Sequence, residues 1–514
     1  MLSSNFLGKR YMKKIVFMMI TAVLLQACDD DFLTTNPTDT FTEETFWKTE
    51  THALAGINGT YAQLQVSNLY GSINVLLLEA ISPNGYNYSN SAGVNFIAEG
   101  VHDASNSASI NNRWNASYKG IGRANTVVGH IDAIKMDEGL KSRIKGEAKF
   151  LRALFYANLV NFYGGVPLIL DVPNIDQGSL PRSSREEVVN QIVKDLNEAS
   201  EVLPLRYTNT DIGRATKGAA LALQARVLAY ESRWGEAAAA AKQVIDLNVY
   251  SLFPDYRELF YLENEGNEEV IFDVQLKFPE FGSNFDIYLD RYNSLAPLQD
   301  LVDSYQMIDG KSISESTLYN ADNPYENRDP RLQKTVIVPG SNFKGKIVKD
   351  DAYPFTGYGQ KKYSVYKDNE VPAKVVNTGD SELNYIILRY ADVLLLYAEA
   401  QNEASGPDKS VYEAINKVRA RAGMPAIPEG LTQNEMREAI RLERRIELAG
   451  EGLYYDDIRR WKTAETVMNT EIVDRKGHVI GVRTFNPSRD YLWPIPSVAL
   501  QENPNLEQNP GYNK

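Results

Sequence analysis

Hydrophobic positions recur with helical spacing along residues 140–163 of the chain. Apolar side chains follow one another there at steps of three and four, which places them on one face of an α-helix. Gly164, Gly165 and Pro167 come directly afterwards and predict the end of this helix. The apolar stripe consists of Ile144, Ala148, Leu151, Phe155, Leu159 and Phe162.

Residues 213–247 have the pattern of two helices joined by a turn near residues 233–235. Small residues along the first helix and an alanine run along the second predict close packing between them. The pattern is typical of a tetratricopeptide unit, a helix-turn-helix of about 34 residues that buries its apolar face against neighbouring units. The positions that carry it are Trp234, Ala237, Ala241 and Ile245.

A third helical pair is predicted from residues 384–404 and 410–423, which are separated by a Gly-Pro step. A fourth strong helix begins at Thr432, whose hydroxyl we expect to cap it together with Glu435, three places on. These elements predict a mostly α-helical protein with a divergent, interrupted helical repeat.

Two other stretches, residues 64–115 and 250–383, are rich in Asn, Ser, Gly, Asp and Tyr. They contain short strand-like pieces, such as residues 269–276 and 334–340. Long loops in a compact protein are usually functional. The tail, residues 491–512, is rich in proline and asparagine, and we expect an extended segment laid over the helices rather than a regular helix.

The first 27 residues have the order of a secretory signal, with a basic segment, an uncharged run from Ile15 to Leu25, and a small residue before Cys28. The run is well short of the ~20 residues that a membrane-spanning helix needs. The sequence from Leu25 to Cys28 matches a bacterial lipoprotein signal, in which the cysteine thiol is acylated. We expect cleavage after residue 27 and lipid attachment at Cys28, the only cysteine; Met12 is an alternative start.

Charge narrows the choice of partners. Removal of residues 1–27 deletes four basic residues and no acidic one, so the formal net charge goes from −13 to −17. Such an acidic chain is not expected to bind nucleic acid. Residues 28–45 are polar and are expected to form a tether between the acylated Cys28 and the folded protein.

Eight segments occur in the order of the motifs of one family, and from Cys28 to its C terminus the chain resembles the SusD/RagB (SusD-like) family of Bacteroidetes outer-membrane nutrient-binding lipoproteins. Each motif is weak alone, and the eight in order are highly specific. They are TEETFWKT, EAKFLRALFYANLVNFYGGVPLI, GRATKGAALALQARVLAY, NRDPRL, YIILRYADVLLLYAEAQNEA, INKVRARAG, ERRIELAGEGLYYDDIRRW and LWPIPSVALQENPNLEQNPGY.

The resemblance implies four tetratricopeptide-like helical pairs that form a right-handed superhelical scaffold, with a loop-rich insertion region bearing short strands. It implies one domain over residues 46–514. The parts are a scaffold mainly at 46–63, 116–250 and 384–465, ligand-facing loops at about 64–115 and 251–383, and an extended tail at 485–514.

The resemblance also implies a surface-exposed, lipid-anchored protein of the outer membrane, and Asp29, Asp30 and Asp31 resemble the family's surface-export signal. In this family the protein is not an enzyme and needs no cofactor. It captures an oligosaccharide, or in some members a peptide, and passes it to a SusC-like TonB-dependent transporter. A peptide or glycoprotein-fragment ligand on the same fold is therefore an open alternative.

Motifs for metal binding and nucleophilic catalysis are absent from the sequence. The four histidines, His52, His102, His130 and His478, lie far apart, and there is no GxSxG elbow and no phosphate-binding GxxxxGK[ST] loop. A glycosidase needs only two facing carboxylates. A surface glycan hydrolase thus remains a second alternative, which a turnover assay would distinguish from a binding protein.

Residues 441–460 carry the densest mixture of acidic and basic side chains, which we interpret as an ion-pair network that fixes a helix end. Its members are Glu443, Glu447, Glu451, Asp456 and Asp457 with Arg441, Arg444, Arg445, Arg459 and Arg460. Arg389 and Asp392, at i and i+3 in an otherwise apolar predicted helix, are expected to form a buried pair with each other.

Sugar binding without catalysis requires aromatic rings for the C–H face of a pyranose and polar side chains for its hydroxyls. Two loop segments, residues 82–96 and 281–293, meet this requirement. Trp114 and Tyr118, at i and i+4, are expected to pack in the core instead. The predicted ligand-binding residues are Tyr86, Tyr88, Phe96, Asn284, Phe285, Asp286, Tyr288 and Tyr292.

Overall fold

The computed structural model describes residues 12, 14, 46–90, 92–372 and 376–513. The predictions for the signal segment, the tether and Cys28 lie outside these residues. Among the helices of the described part, none combines the length and the hydrophobicity that crossing a membrane requires.

The described chain is mostly helical. Its α-helices are α1 (Glu50–Ala62), α2 (Leu78–Ile81), α3 (Val94–Ala98), α4 (Ala108–His130), α5 (Glu138–Tyr163), α6 (Arg185–Val202), α7 (Lys217–Tyr230), α8 (Trp234–Asp246), α9 (Gln299–Ser304), α10 (Arg331–Thr335), α11 (Tyr390–Ser405), α12 (Lys409–Arg421), α13 (Gln433–Glu447), α14 (Tyr454–Arg460), α15 (Ala464–Val467) and α16 (Ser497–Glu502). A π-helical turn spans Ile287–Arg291, and 3₁₀ turns span Ile73–Val75, Ile131–Ala133, Ile175–Ser179, Asn209–Asp211, Glu258–Phe260 and Leu262–Asn264.

The strands are short and form five antiparallel pairs among the described residues, β1–β3, β2–β8, β4–β7, β5–β6 and β9–β10. Their bounds are β1 (Gly85–Tyr86), β2 (Val270–Val274), β3 (Ala296–Pro297), β4 (Val336–Ile337), β5 (Asn342–Phe343), β6 (Lys346–Ile347), β7 (Gly359–Gln360), β8 (Tyr385–Arg389), β9 (Glu471–Val473) and β10 (Val479–Val482).

Four tetratricopeptide-like helical pairs make the scaffold: α1 with α4, α5 with α6, α7 with α8, and α11 with α12. Neighbouring pairs pack on one another, α6 on α7 and α8 on α11, and α13 packs on α11. The predicted apolar stripe of α5 is buried from Ile144 to Phe162. Trp114 is buried as expected and lies 5.1 Å, centroid to centroid, from both Tyr118 and Tyr163.

The predicted helix signals are confirmed. The long helix α5 ends at Tyr163, and Gly164 follows with a positive φ of 75°. Helix α13 begins after Thr432, and the capping box with Glu435 is present in both directions. Such caps satisfy amide groups that have no partner inside the helix.

Three predictions about elements were wrong. Residues 385–389, predicted as helix, form strand β8 and pair with β2, because a short apolar run does not distinguish a buried strand from a buried helix. The loop region predicted for 64–115 already contains the start of α4 at Ala108. The tail, predicted to have no regular helix, includes one helix, α16, between its prolines. The residues around Trp493 are irregular, as predicted, and Trp493 N donates to Phe162 O in α5 over 2.7 Å.

The ion-pair network predicted in residues 441–460 is confirmed in part, because Asp456 pairs with Arg459 and Asp457 with Arg444 and Arg460. The other three acids, Glu443, Glu447 and Glu451, pair with basic residues outside this segment. Glu443 accepts from Arg331 at 2.5 Å and from Arg419 at 2.8 Å, and Glu447 accepts from Arg331 at 2.9 Å and from Arg389 at 2.7 Å. These groups are completely or almost completely buried. The network therefore joins α13 to α10, α12 and β8.

The expected pair between Arg389 and Asp392 is not formed. Arg389 ends strand β8 and bonds to Glu269, Glu447 and Glu451. Asp392 lies in the first turn of α11 and accepts from Arg226 at 2.7 Å and from Arg444 at 2.9 Å. The chain changes from strand to helix between the two residues, so the i, i+3 spacing of a helix does not apply to them.

Candidate functional site

The two loop segments predicted to bind ligand are brought together by a short antiparallel contact. Tyr86 in β1 pairs with Ala296 in β3, and Asn87 Nδ2 donates to the carbonyl of Ser294 at 2.6 Å. Because β3 follows the second segment directly, this pairing places residues 85–88 beside the end of residues 281–293. No pattern in the sequence predicts this pairing.

Tyr88 stacks on a residue that the sequence analysis did not select. Its ring lies 3.9 Å from that of Phe355, centroid to centroid, with 7° between the two planes. Tyr88 is 38% exposed and Phe355 is half-buried. Phe355 covers one face of Tyr88, so the exposed part of the Tyr88 ring is its opposite face and its edge.

A tight turn holds Phe355 in place. Gly357 N donates to Tyr353 O over 2.8 Å, and Gly357 has a φ of 86°, which favours glycine. Asn293 Nδ2 donates to the carbonyl of Tyr358 at 3.1 Å and so ties this turn to the second loop segment. The turn lies in the stretch AYPFTGYG, which combines three aromatic residues with glycine and proline inside a predicted loop. That composition is the signal by which Phe355 could have been found.

The second segment contains a π-helical turn, in which Tyr292 N donates to Ile287 O over 3.1 Å. π-Helical turns are rare in proteins, and those that occur are often found at functional sites. This turn places Tyr288 and Tyr292 edge to face, with 5.4 Å between the ring centroids, and leaves Tyr292 39% exposed. Both oxygens of Asp290 accept from Lys344 Nζ, at 2.8 and 2.7 Å.

The charge of Asp290 in the π-helical turn acts on Tyr353 in the turn that carries Phe355. Burial, reinforced by the negative charge of Asp290, raises the pKa of Tyr353 above its ordinary value. Arg291 is exposed, and its guanidinium carbon lies 5.8 Å from the Tyr292 ring centroid. Charged and aromatic side chains thus alternate along this part of the surface.

Three of the predicted ligand-binding residues have structural contacts instead. Asn284 Oδ1 accepts from Ile73 N at 2.8 Å and anchors a 3₁₀ turn. Phe285 is completely buried beside Tyr363, with ring centroids 6.2 Å apart. Asp286 is also completely buried, accepts from Val365 N at 2.7 Å and from Ser381 Oγ at 2.5 Å, and has its pKa raised to about 6 by burial. In this conformation Phe285 and Asp286 are inaccessible to a ligand.

The remaining two lie at the edge of the first segment. Tyr86 is half-buried, and burial, followed by the charge of Glu99, raises the pKa of its hydroxyl. Phe96 is half-buried in α3. We define the aromatic loop site as Tyr86, Tyr88, Tyr288, Tyr292 and Phe355, which offers ring faces and hydroxyl groups on segments that are joined by hydrogen bonds.

The buried carboxyl of Glu79 stabilises the first loop segment, residues 82–96, through hydrogen bonds. Glu79 accepts hydrogen bonds from the amides of Gly450 and Gly452, at 3.1 and 3.2 Å, and from Asn84 Nδ2 at 3.0 Å. Burial raises the pKa of Glu79 to about 7. Because Asn84 lies immediately before β1, this carboxyl fixes the start of the segment that carries Tyr86 and Tyr88.

Concave surfaces lie elsewhere on the described part of the molecule. Two of them, of about 430 and 480 Å³, are both lined by Ile212, Gly213 and Arg214. In the part of the chain that the structure describes, no group of three or more histidine, cysteine, aspartate or glutamate side chains is arranged to hold a metal ion.

Comparison with known proteins gives a consistent result. A model of the SusD family matches residues 262–512, and a model described as starch-binding associating with outer membrane matches residues 82–228. The chain is 29% identical to SusD-like protein P2 of Formosa agariphila, over 98% of this chain and all of that one.

Solved structures agree with these matches. A SusD-like protein of Bacteroides fragilis is 30% identical, with a TM-score of 0.81 over 93% of this chain and all of that one. A SusD-like carbohydrate-binding protein of the same species is 29% identical, with a TM-score of 0.82 over 90% of this chain and all of that one.

Proposed function

The chain belongs to the SusD family, and from this we propose that it captures an oligosaccharide at the aromatic loop site and passes it to a SusC-like TonB-dependent transporter. Glycan binding is supported by the family and by the carbohydrate-binding relative from B. fragilis. The observation that carries the choice of site is the exposed stack of Tyr88 on Phe355.

Stacking suits a pyranose because its axial C–H groups form an apolar face that an aromatic ring covers. The ring of Tyr88 is rigidly backed by Phe355 and ready for such contact, and this lowers the entropic cost of binding. Ser89 and Asn90 follow in the sequence and offer donors and acceptors for sugar hydroxyls. The site thus has the two components that non-catalytic sugar recognition requires.

We extend the proposal to the cell surface. The lipoprotein box ending at Cys28 and the family's association with the outer membrane support a lipid anchor, with the folded protein facing the medium. Several acyl chains on one residue would suffice, since each buried CH₂ contributes ~0.8 kcal/mol. The transporter would receive the glycan from the loops, and the protein itself performs no chemistry.

Calorimetry of the full chain in mild detergent against a panel of purified glycans tests the proposal. We expect saturable heat with one glycan class, a loss of affinity of at least about tenfold in Tyr88→Ala and in Phe355→Ala, and unchanged binding in Tyr319→Ala, an exposed tyrosine outside the site. A parallel assay for newly formed reducing ends should remain at background.

Other outcomes point to the alternatives. Binding of peptides but of no glycan would reject the oligosaccharide ligand and keep the fold's role in capture. Release of reducing ends that stops when a carboxylate is replaced would identify a hydrolase. Glycan binding that survives both Tyr88→Ala and Phe355→Ala would reject the aromatic loop site.

A further inference from the structure

A cavity that is partly open to solvent lies apart from the aromatic loop site. It has a volume of about 90 Å³ and forms where α4, α5, α7 and α14 meet β8. At ~30 Å³ for each water molecule, it has room for a few waters or for one small organic molecule. Its apolar wall includes Val75, Leu78, Leu154, Leu223 and Val227.

The charged side chains around this cavity are paired, with one exception. Arg226 lies 2.7 Å from Asp392, Arg185 lies 2.5 Å from Glu231, and Asp456 lies 2.8 Å from Arg459. Arg113 forms no ion pair with any residue of the described chain, although it is only 5% exposed. A buried guanidinium without a counter-charge is unfavourable, and an anion beside it would offset this cost.

Arg113 is held in position by its other contacts. Its Nη1 donates to Asn158 Oδ1 at 2.7 Å, and its guanidinium carbon lies 4.8 Å from the Phe162 ring centroid. Its Nε is buried and has no hydrogen-bond partner within the described part of the chain. The guanidinium is therefore held in one orientation before any ligand binds, and its Nε–H group can still donate a hydrogen bond.

Two tyrosine hydroxyls line the same cavity. The hydroxyl oxygen of Tyr230 is buried and, within the described residues, has no hydrogen-bond partner. The Tyr70 hydroxyl accepts from Asn158 Nδ2 at 2.7 Å, which leaves its own proton for a further bond. Together with Arg113 Nε, the cavity offers three donors around one positive charge, an arrangement that suits a carboxylate.

We propose that this cavity binds a small aliphatic monocarboxylate, with its carboxylate on Arg113 and the tyrosine hydroxyls and its hydrocarbon part against the apolar wall. One unpaired cation matches one negative charge. An inorganic oxyanion would leave oxygens against Val227 and Leu223, and an oligosaccharide exceeds the volume. The site is independent of the aromatic loop site and does not rest on glycan binding.

Butyrate and butyramide are suitable probes, because they have nearly the same size and differ in charge. We would measure both by calorimetry on the full chain at pH 7, with detergent matched in cell and syringe. The proposal expects saturable heat from butyrate and none from butyramide. Equal binding of the two compounds would show that the carboxylate is not recognised, and no binding of butyrate would show a cavity that holds water only. Either result would overturn the proposal.

Variants locate the binding. Arg113→Gln keeps a donor toward Asn158 and should weaken butyrate binding by more than about tenfold, and Tyr230→Phe removes a single oxygen and should weaken it by about fivefold. Arg123→Gln on the same helix is exposed and should bind as the wild type does. If Arg113→Gln proves unfolded by circular dichroism, Tyr230→Phe decides, and unchanged affinity in it would reject the assignment.

Discussion

The helical scaffold and the loop-rich region both have buried cores, but they are held together by different interactions. Helix α7 packs through small and apolar side chains, and Ala219, Ala220 and Ala222 are each 0% exposed. The junction between the loop region and α13 buries Arg331, Arg389 and Glu447 instead, among the least exposed side chains described. The scaffold is stabilised by close apolar packing, and the junction of the loop-rich region with α13 is stabilised by buried ion pairs.

This difference determines how each region responds to change. Apolar packing loses stability in proportion to the atoms removed, because neighbouring side chains relax partly into the space. A buried ion network responds more sharply, since removing one member leaves the charge of its partners unpaired. The loops that carry the aromatic loop site are therefore held by the buried ion network, whose stability is the more sensitive of the two to a single substitution.

The largest effect is expected at the centre of the network. Glu447 accepts from Arg331, Arg389 and Arg421, and these guanidinium groups hold its pKa well below the ordinary value. Glu447→Gln should lower the free energy of unfolding by about 3–5 kcal/mol, measured by chemical denaturation. Glu438→Gln on the same helix, where the side chain is exposed, should leave it unchanged. A loss below about 1 kcal/mol at Glu447 would show that the two regions do not differ.

The same contrast explains what the sequence could predict. Helices α5, α7, α8, α12 and α13 were predictable because their periodicity and caps are local in sequence. The stack of Tyr88 on Phe355 and the bonds of Arg389 to Glu269, Glu447 and Glu451 join residues that are distant along the chain. No local pattern specifies such partners, so composition predicted Phe285 and Asp286, which are buried, and did not predict that Phe355 stacks on Tyr88.

The next effect concerns pH and the carboxyl below the first loop. Burial raises the pKa of Glu79 to about 7, so its contribution to stability is full below its unfolded pKa, near 4.5, and is lost as the pH rises through 7. The difference in unfolding free energy between wild type and Glu79→Gln should therefore change by up to about 3 kcal/mol between pH 4.5 and pH 8, with the wild type losing stability. The measurement is denaturation at a series of pH values.

A control keeps this prediction specific, because other carboxyl groups titrate in the same range. Burial also raises the pKa of Asp286 to about 6. Glu326 is exposed, so the unfolding free energy of a Glu326→Gln variant should depend on pH as that of the wild type does. A Glu79→Gln variant with the same profile as wild type would mean that the buried carboxyl stays charged in the folded protein.

The smallest effect tests the apolar side of the comparison, at two glycines of one helix. In α4, a Cβ atom added at Gly120 would overlap the ring of Phe155 in α5, whereas one added at Gly122 would meet only Pro173 Cγ at 3.4 Å. Gly120→Ala should lower the free energy of unfolding by about 1–3 kcal/mol, because the packed helices cannot separate without losing contacts. Gly122→Ala should raise it by about 0.5–1 kcal/mol, since alanine has the higher helix propensity. Opposite signs in thermal denaturation would establish that shape complementarity holds the scaffold, and a stabilising Gly120→Ala would show that the α4–α5 contact is loose.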